Sequence, residues 1–181
     1  MYMDEGLDTG DILLTETTPL TPEETGGSLH DRLALLAPAA LTRALTLLAT
    51  GTAPRTPQNP AAVTHTGKLE RADGVISWND PSESIARRIR AFDPWPGTGT
   101  TLPDGSQLKI YPPVEALDSS SGCAPPGSIL SASAEGLLVA CGSGSLRIHQ
   151  LQAEGRKRMA AASFLSGRPL TPGDRLGSPA S

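Results

Sequence analysis

Aromatic residues are scarce in this chain, six of 181, so any core must be built mainly from Leu, Ala, Val and Ile. Cysteine is scarcer still. Cys123 and Cys141 form neither a disulfide framework nor a metal-ligand spacing, which excludes a stapled secreted scaffold and a zinc module. Cys141 closes the apolar run 137–141, where a buried, reduced thiol is expected. No apolar stretch approaches the roughly 18 residues of a membrane span, and no basic segment followed by an apolar run opens the chain. The expectation is a soluble, cytoplasmic protein without membrane contact.

Turn formers are plentiful, with 19 Gly and 17 Pro, a level below that of low-complexity chains. Net charge is −4, but it is divided unevenly. Residues 1–67 hold three arginines against eight carboxylates, a net of −5, whereas 68–181 hold twelve cations against eleven, a net of +1. The cations cluster at Arg87, Arg88 and Arg90 and again at Arg156, Lys157 and Arg158. Local patches of this kind, and not net charge, decide where a phosphate backbone docks. A solvated helix face produces the same pattern.

Along the chain, an acidic Gly-rich turn leads into a short apolar run, Ile12-Leu13-Leu14. Ser28 is placed to cap a helix carrying Leu29, Leu33 and Leu36, and Pro38 suits the first turn of a second helix ending at Gly51. The leucine stripe of 29–48 is a face made to pack on something larger. Pro54, Pro57 and Pro60 mark an extended linker. Asp80, Pro81 and Glu83 read as N-cap, N1 and N3 of a helix that buries Ile85, Ile89 and Phe92 and stops at Asp93-Pro94. Strands are expected near 107–111, 127–131, 137–141 and 145–151, then a helix over 159–166 and a frayed tail after Leu176. Short strands in such number suggest a small antiparallel barrel, because closure removes exposed edges.

Four separated blocks carry a resemblance: 3–13 (MDEGLDTGDIL), 73–78 (DGVISW), 89–97 (IRAFDPWPG) and 150–159 (QLQAEGRKRM). In that order they are similar to the methionyl-tRNA formyltransferases, and Phe164-Leu165 and Pro172-Gly173-Asp174 fit the family's closing pattern. The resemblance implies an α+β chain. Residues 1–51 would be the helical tail of a Rossmann-like formyltransferase domain, 52–70 a Pro-rich linker, and 71–181 a small antiparallel OB-like β-barrel that faces tRNA. It further implies transfer of a formyl group from 10-formyltetrahydrofolate, as co-substrate, to the amine of methionine on initiator tRNA. No metal is implied.

Asp8 matches the family's catalytic aspartate, and Gly6 and Gly10 fit a tight loop that approaches the folate. A carboxylate at the reacting centre can take or relay the proton that the attacking amine loses. The family's catalytic Asn and His lie upstream of this block, and His30, His65 and His149 do not match them. The resemblance therefore implies a truncated enzyme, inactive alone, whose folate site is largely absent. The tRNA contacts it implies are Lys68, Arg87, Arg90, Lys109, Arg147, Arg156, Lys157 and Arg158. Trp78 and Trp95 are expected in the core and not as stacking platforms. The protein is expected to be a monomer, with self-association through the leucine stripe as an option. Twelve arginines against three lysines suit a GC-rich bacterial gene. The alternative is a non-catalytic RNA- or tRNA-binding barrel.

Overall fold

The computed structural model describes residues 1–118 and 124–177, so Cys123 and the last four residues lie outside it. It divides into two compact units, 1–22 with 28–68, and 23–27 with the chain from Leu69 onward.

The first unit holds most of helix α1 (Gly26–Ala49) and two extended segments. Those segments pair where Ile12 and Thr56 exchange backbone hydrogen bonds of 2.9 and 3.1 Å. Residues 52–68 are therefore not a free spacer, because a Pro-rich stretch keeps the extended backbone that antiparallel pairing requires. Two helices were expected around Pro38, but α1 runs through it as one. Proline removes a single ladder hydrogen bond, and the Leu and Ala that surround it are strong helix formers. No residue of α1 is buried, and Leu33, Leu35, Leu36, Leu41, Leu45 and Leu48 are exposed. By length and composition α1 is also apolar enough to cross a membrane, although it contains no uninterrupted apolar run of that length. Mean hydropathy tolerates the few polar and charged positions that break such a run.

The second unit is built on α2 (Ser82–Ala91), six strands and α3 (Ala161–Gly167). The strands are β1 (Thr98–Thr101), β2 (Gln107–Leu117), β3 (Ile129–Ser133), β4 (Gly136–Ala140), β5 (Ser145–Ala153) and β6 (Met159–Ala160). They form an antiparallel sheet in the order β1-β2-β5-β4-β3, with β6 paired to β5. Alternation does the sorting. In β2, Leu108 and Ile110 are fully buried while Lys109 points out. In β5, Leu146 and Ile148 face the same core. On α2, Ile85, Ala86 and Ile89 are buried and Arg87 is exposed.

Several local expectations shift. β1 escaped notice because its sequence, Thr-Gly-Thr-Thr, shows no apolar alternation; Thr98 is buried by donating its hydroxyl to the Ile110 carbonyl at 3.0 Å. β2 continues past Tyr111 through Pro112 and Pro113, where the register slips. Prolines survive there because β1 pairs only with 107–110, which leaves the rest of β2 an edge on that side. Helix α2 begins at Ser82 with Pro81 as its N-cap and no side-chain cap. The Ser82 N–H instead donates to the Ser143 carbonyl at 3.0 Å, so the orphan donor finds its partner in the β4–β5 turn. The last helix starts two residues late, since Met159 and Ala160 pair with β5 first.

Of the tail expected to fray after Leu176, only Gly177 lies among the described residues, and it is held together with the segment before it. Ile129 and Gly173 donate to the Asp174 and Ile129 carbonyls at 2.8 and 3.0 Å, Leu176 to Gly127 at 2.8 Å, and Gly177 to Thr101 at 2.9 Å. Residues 173–177 thus link β1 to β3, the two sheet edges, and Leu176 is 1% exposed. Cys141 is buried as expected, and burial pushes its thiol up to about 12. At pH 8 roughly one molecule in ten thousand then carries the reactive thiolate. Alkylation of the Cys141 peptide, followed by mass spectrometry, should track unfolding; fast labelling of the folded protein would contradict it.

Candidate functional site

In the first unit the block 3–13 closes on itself. The Tyr2 N–H donates to the Asp11 carbonyl at 2.9 Å, and Gly10 lies so close that a Cβ there would sit 1.9 Å from the Tyr2 carbonyl oxygen. Gln58 reaches across and donates its side-chain amide to the carbonyls of Asp8 and Gly10 at 2.7 and 2.8 Å. Arg55 bonds the Asp11 carboxylate at 3.1 Å and stacks on the Tyr2 ring at 4.1 Å. Residues 55–58 therefore hold the loop from one side. Pattern reading could not find them, since Arg-Thr-Pro-Gln resembles ordinary linker.

Asp8 occupies the crest of this loop, exposed, at φ 57°. It is the one non-glycine residue in the left-handed region among the described residues, a region Asp tolerates better than most. Its carboxylate has no hydrogen-bond or ion-pair partner there. The Asp4 carboxylate, by contrast, accepts from the Glu5 N–H and the Thr9 hydroxyl. Gly6 is exposed, and a Cβ on it would meet the Thr9 side chain at 2.6 Å. Met3 and Leu7 flank the crest, almost completely exposed. Such a loop can present a carboxylate to a bound reactant, with its backbone set beforehand. Among the described residues no group of three or more His, Cys, Asp or Glu side chains is placed to hold a metal ion.

The second unit sorts the expected cations. Arg87 is tied to Glu83 at 2.7 Å and Arg88 lies 3.8 Å from Asp80. Arg147 is held between Glu135 at 2.7 Å and Glu115 at 3.6 Å, and Glu115 also meets His149 at 3.0 Å. These charges are already answered by carboxylates. Arg90, Lys109, Arg156 and Lys157 have no side-chain partner among the described residues, and Lys109, Arg156 and Lys157 are exposed. Lys68, in the first unit, is exposed and unpaired in the same sense.

Arg158 is placed differently. Its guanidinium lies over the Tyr111 ring at 4.6 Å and donates to the Pro112 carbonyl at 2.5 Å. Tyr111 in turn donates its hydroxyl to the Gln152 side chain at 2.7 Å, and Gln152 donates to the Arg156 carbonyl at 2.6 Å. Lys109 stands opposite Gln152, and Tyr111 opposite Gln150, on the outer face of β2 and β5. Tyr111, Gln150 and Gln152 escaped the sequence reading because strand register, not sequence distance, brings them to the Arg156–Arg158 turn.

Elsewhere, Arg168 joins Asp104 and donates to the Ser106 hydroxyl at 3.1 Å. Hydrogen bonds from Ser106, aided by Arg168, hold the Asp104 carboxyl below its ordinary range. Trp78 is buried, as expected, with its indole N–H on the Thr100 hydroxyl at 3.0 Å. Trp95 is not: it is 53% exposed, since the turn at 93–97 leaves its ring outside the core cluster.

The sequence profile described as formyl transferase, C-terminal domain, matches residues 68–169. A methionyl-tRNA formyltransferase of Acidovorax ebreus is 48% identical over 180 residues, and one of Geobacter metallireducens is 45% identical over 177. Each alignment covers 98% of this chain and 55% of the relative, so the chain spans about half the length of the curated relatives it matches. Among solved structures, HypX from Aquifex aeolicus in complex with tetrahydrofolic acid is similar at a TM-score of 0.60 and 19% identity. That match covers 90% of this chain and 28% of the other, and at such identity it shows the fold alone. With a profile match over more than half of its length, the chain belongs to the family of formyl transferase C-terminal domains.

Proposed function

We propose that the chain is the tRNA-facing part of a methionyl-tRNA formyltransferase of the bacterial cytoplasm, acting in translation initiation. The observation that carries this reading is similarity along 98% of this chain to proteins of that name, joined to a set of cations that carboxylates leave unanswered. In the reaction the amine of tRNA-borne methionine attacks the formyl carbon of 10-formyltetrahydrofolate. The nitrogen must then lose a proton. Asp8, unpaired on a preset loop, is the group we assign to accept or relay it. Gly6 and Gly10 let that loop approach the folate closely. No metal enters the reading.

Lys68, Arg90, Lys109, Arg156 and Lys157 take tRNA phosphates and Arg158 contacts the tRNA beside them, whereas Arg87 and Arg147 contribute less because each must first leave a carboxylate. The second unit is read as an OB-like barrel, supported by the antiparallel order and the 173–177 strap between the sheet edges. Residues 1–51 are read as the helical tail of a Rossmann-like domain, supported by the bare leucine face of α1. That face suits packing or self-association better than solvent. The protein itself is read as a monomer.

A non-catalytic RNA-binding module is the alternative, favoured by the unanswered cations of the second unit, which need no chemistry in order to bind. Filter binding of initiator methionyl-tRNA at rising salt tests both readings, run beside a formyl-transfer assay. Affinity that falls steeply with salt is expected, with no transfer by the chain alone. Absence of binding at low salt would overturn the RNA reading. Transfer by the purified chain would show that Asp8 needs no groups beyond those present.

A further inference from the structure

We propose that the Tyr111–Arg158 pair is a stacking subsite for an unpaired nucleotide of the bound RNA, with Lys109, Arg156 and Lys157 receiving the adjoining phosphates. This rests on the tRNA-binding reading above and adds to it a place and a kind of contact. The case begins with fixed geometry. A solvated basic cluster leaves its side chains free, but here Arg158 is held at one end by the Pro112 carbonyl and lies with its guanidinium carbon over the Tyr111 ring. The ring is held too, through its hydroxyl on Gln152, which is itself tied to the Arg156 backbone. Five residues from β2, β5 and the β5–β6 turn (Tyr111, Pro112, Gln152, Arg156 and Arg158) thus fix one cationic surface before any ligand arrives.

The lock has a local cause. Pro112 sits where β2 slips register, and its carbonyl is left outside the regular ladder, available to a guanidinium from the neighbouring turn. Arg158 is exposed while its guanidinium carbon lies over the Tyr111 ring, which leaves the group open to a further partner. An unpaired base is the ligand that matches a guanidinium plane of this kind, since bases stack on arginine as on aromatic rings. A base paired within a duplex does not offer its face. Charge agrees: Lys109 stands two residues before Tyr111 on β2, Arg156 and Lys157 directly precede Arg158, none has a carboxylate partner among the described residues, and Glu154 is the one acid in the 153–158 turn. Gln150 and Gln152 line the same face and can meet base edges or ribose hydroxyls.

The test uses the full chain with initiator tRNA, a fluorescent single-stranded RNA hexamer and a duplex RNA of equal length, titrated across salt. Arg158→Lys keeps the charge and loses the plane; Tyr111→Leu removes the ring beneath it, and Tyr111→Phe keeps the ring. We expect Arg158→Lys and Tyr111→Leu each to weaken hexamer binding about tenfold with an unchanged salt slope. Tyr111→Phe should stay within about threefold of the parent, and duplex binding should not respond. Unchanged melting of each variant by circular dichroism separates this from misfolding, and Tyr111→Leu is outward-facing and leaves the core intact. Equal hexamer affinity for all variants, or equal losses on hexamer and duplex, would overturn the subsite while tRNA binding stood. Failure of the parent to bind any of the three RNAs at low salt would overturn the RNA reading itself.

Discussion

Trp78→Ala is expected to lower the unfolding free energy of the second unit by about 3–5 kcal/mol, the usual cost of deleting a large buried ring. Trp78 is 5% exposed and belongs to the core with Ile76, Leu102 and Leu176. Two further losses add to the cavity. Thr100 is buried and would lose its indole donor, and the strap would lose what its last residues pack on, because Trp78 lies against Gly177 and against Gly127, which holds Leu176. Chemical denaturation followed by circular dichroism reads the effect directly. Trp78→Phe should recover much of the volume but not the hydrogen bond, and should fall between the two. A Trp78→Ala protein as stable as the parent would mean that the strap is not fastened through this residue.

Gly10→Ala should open the 2–13 loop at a local cost of about 3 kcal/mol, near the upper end for a methyl forced into packed space. The added carbon has nowhere to go: it would stand 1.9 Å from the Tyr2 carbonyl oxygen, a backbone atom that cannot swing aside. The loop must part at the Tyr2–Asp11 hydrogen bond, and Gln58 then loses the carbonyls it holds. Amide hydrogen exchange at 2–12 should accelerate on the order of a hundredfold for that cost. Gln58→Ala removes two hydrogen bonds without a clash and should give a smaller acceleration over the same residues. Unaltered exchange in Gly10→Ala would show that the loop is not closed through Gly10.

Some of this was open to inspection from residues alone. Alternation in 107–111 and 145–151 located the central strands, because a strand buried on one face must place apolar residues at every second position. The helical spacing of Ile85 and Ile89 located α2 for the same reason. Asp8 was singled out only through the resemblance of block 3–13 to the formyltransferases, since its residue types alone read as an ordinary acidic turn. The cation clusters were visible as clusters, but not which members are free. Arg87 and Arg147 looked like Lys109 and Arg156 in sequence, and the carboxylates that answer Arg147 come from β2 and the β3–β4 turn.

What the sequence by itself determined is the family, through its four blocks, and the central strands and α2 with their inward faces, which follow from local period. Tertiary structure alone decided the rest. It brought Gln58 to the Asp8 loop across 50 positions, laid Arg158 on Tyr111, and fastened 173–177 across the sheet edges. Each is a contact between segments distant in sequence, set by backbone register and by a carbonyl left without a ladder partner. No local propensity encodes such a contact, because its energy exists only once both segments are in place.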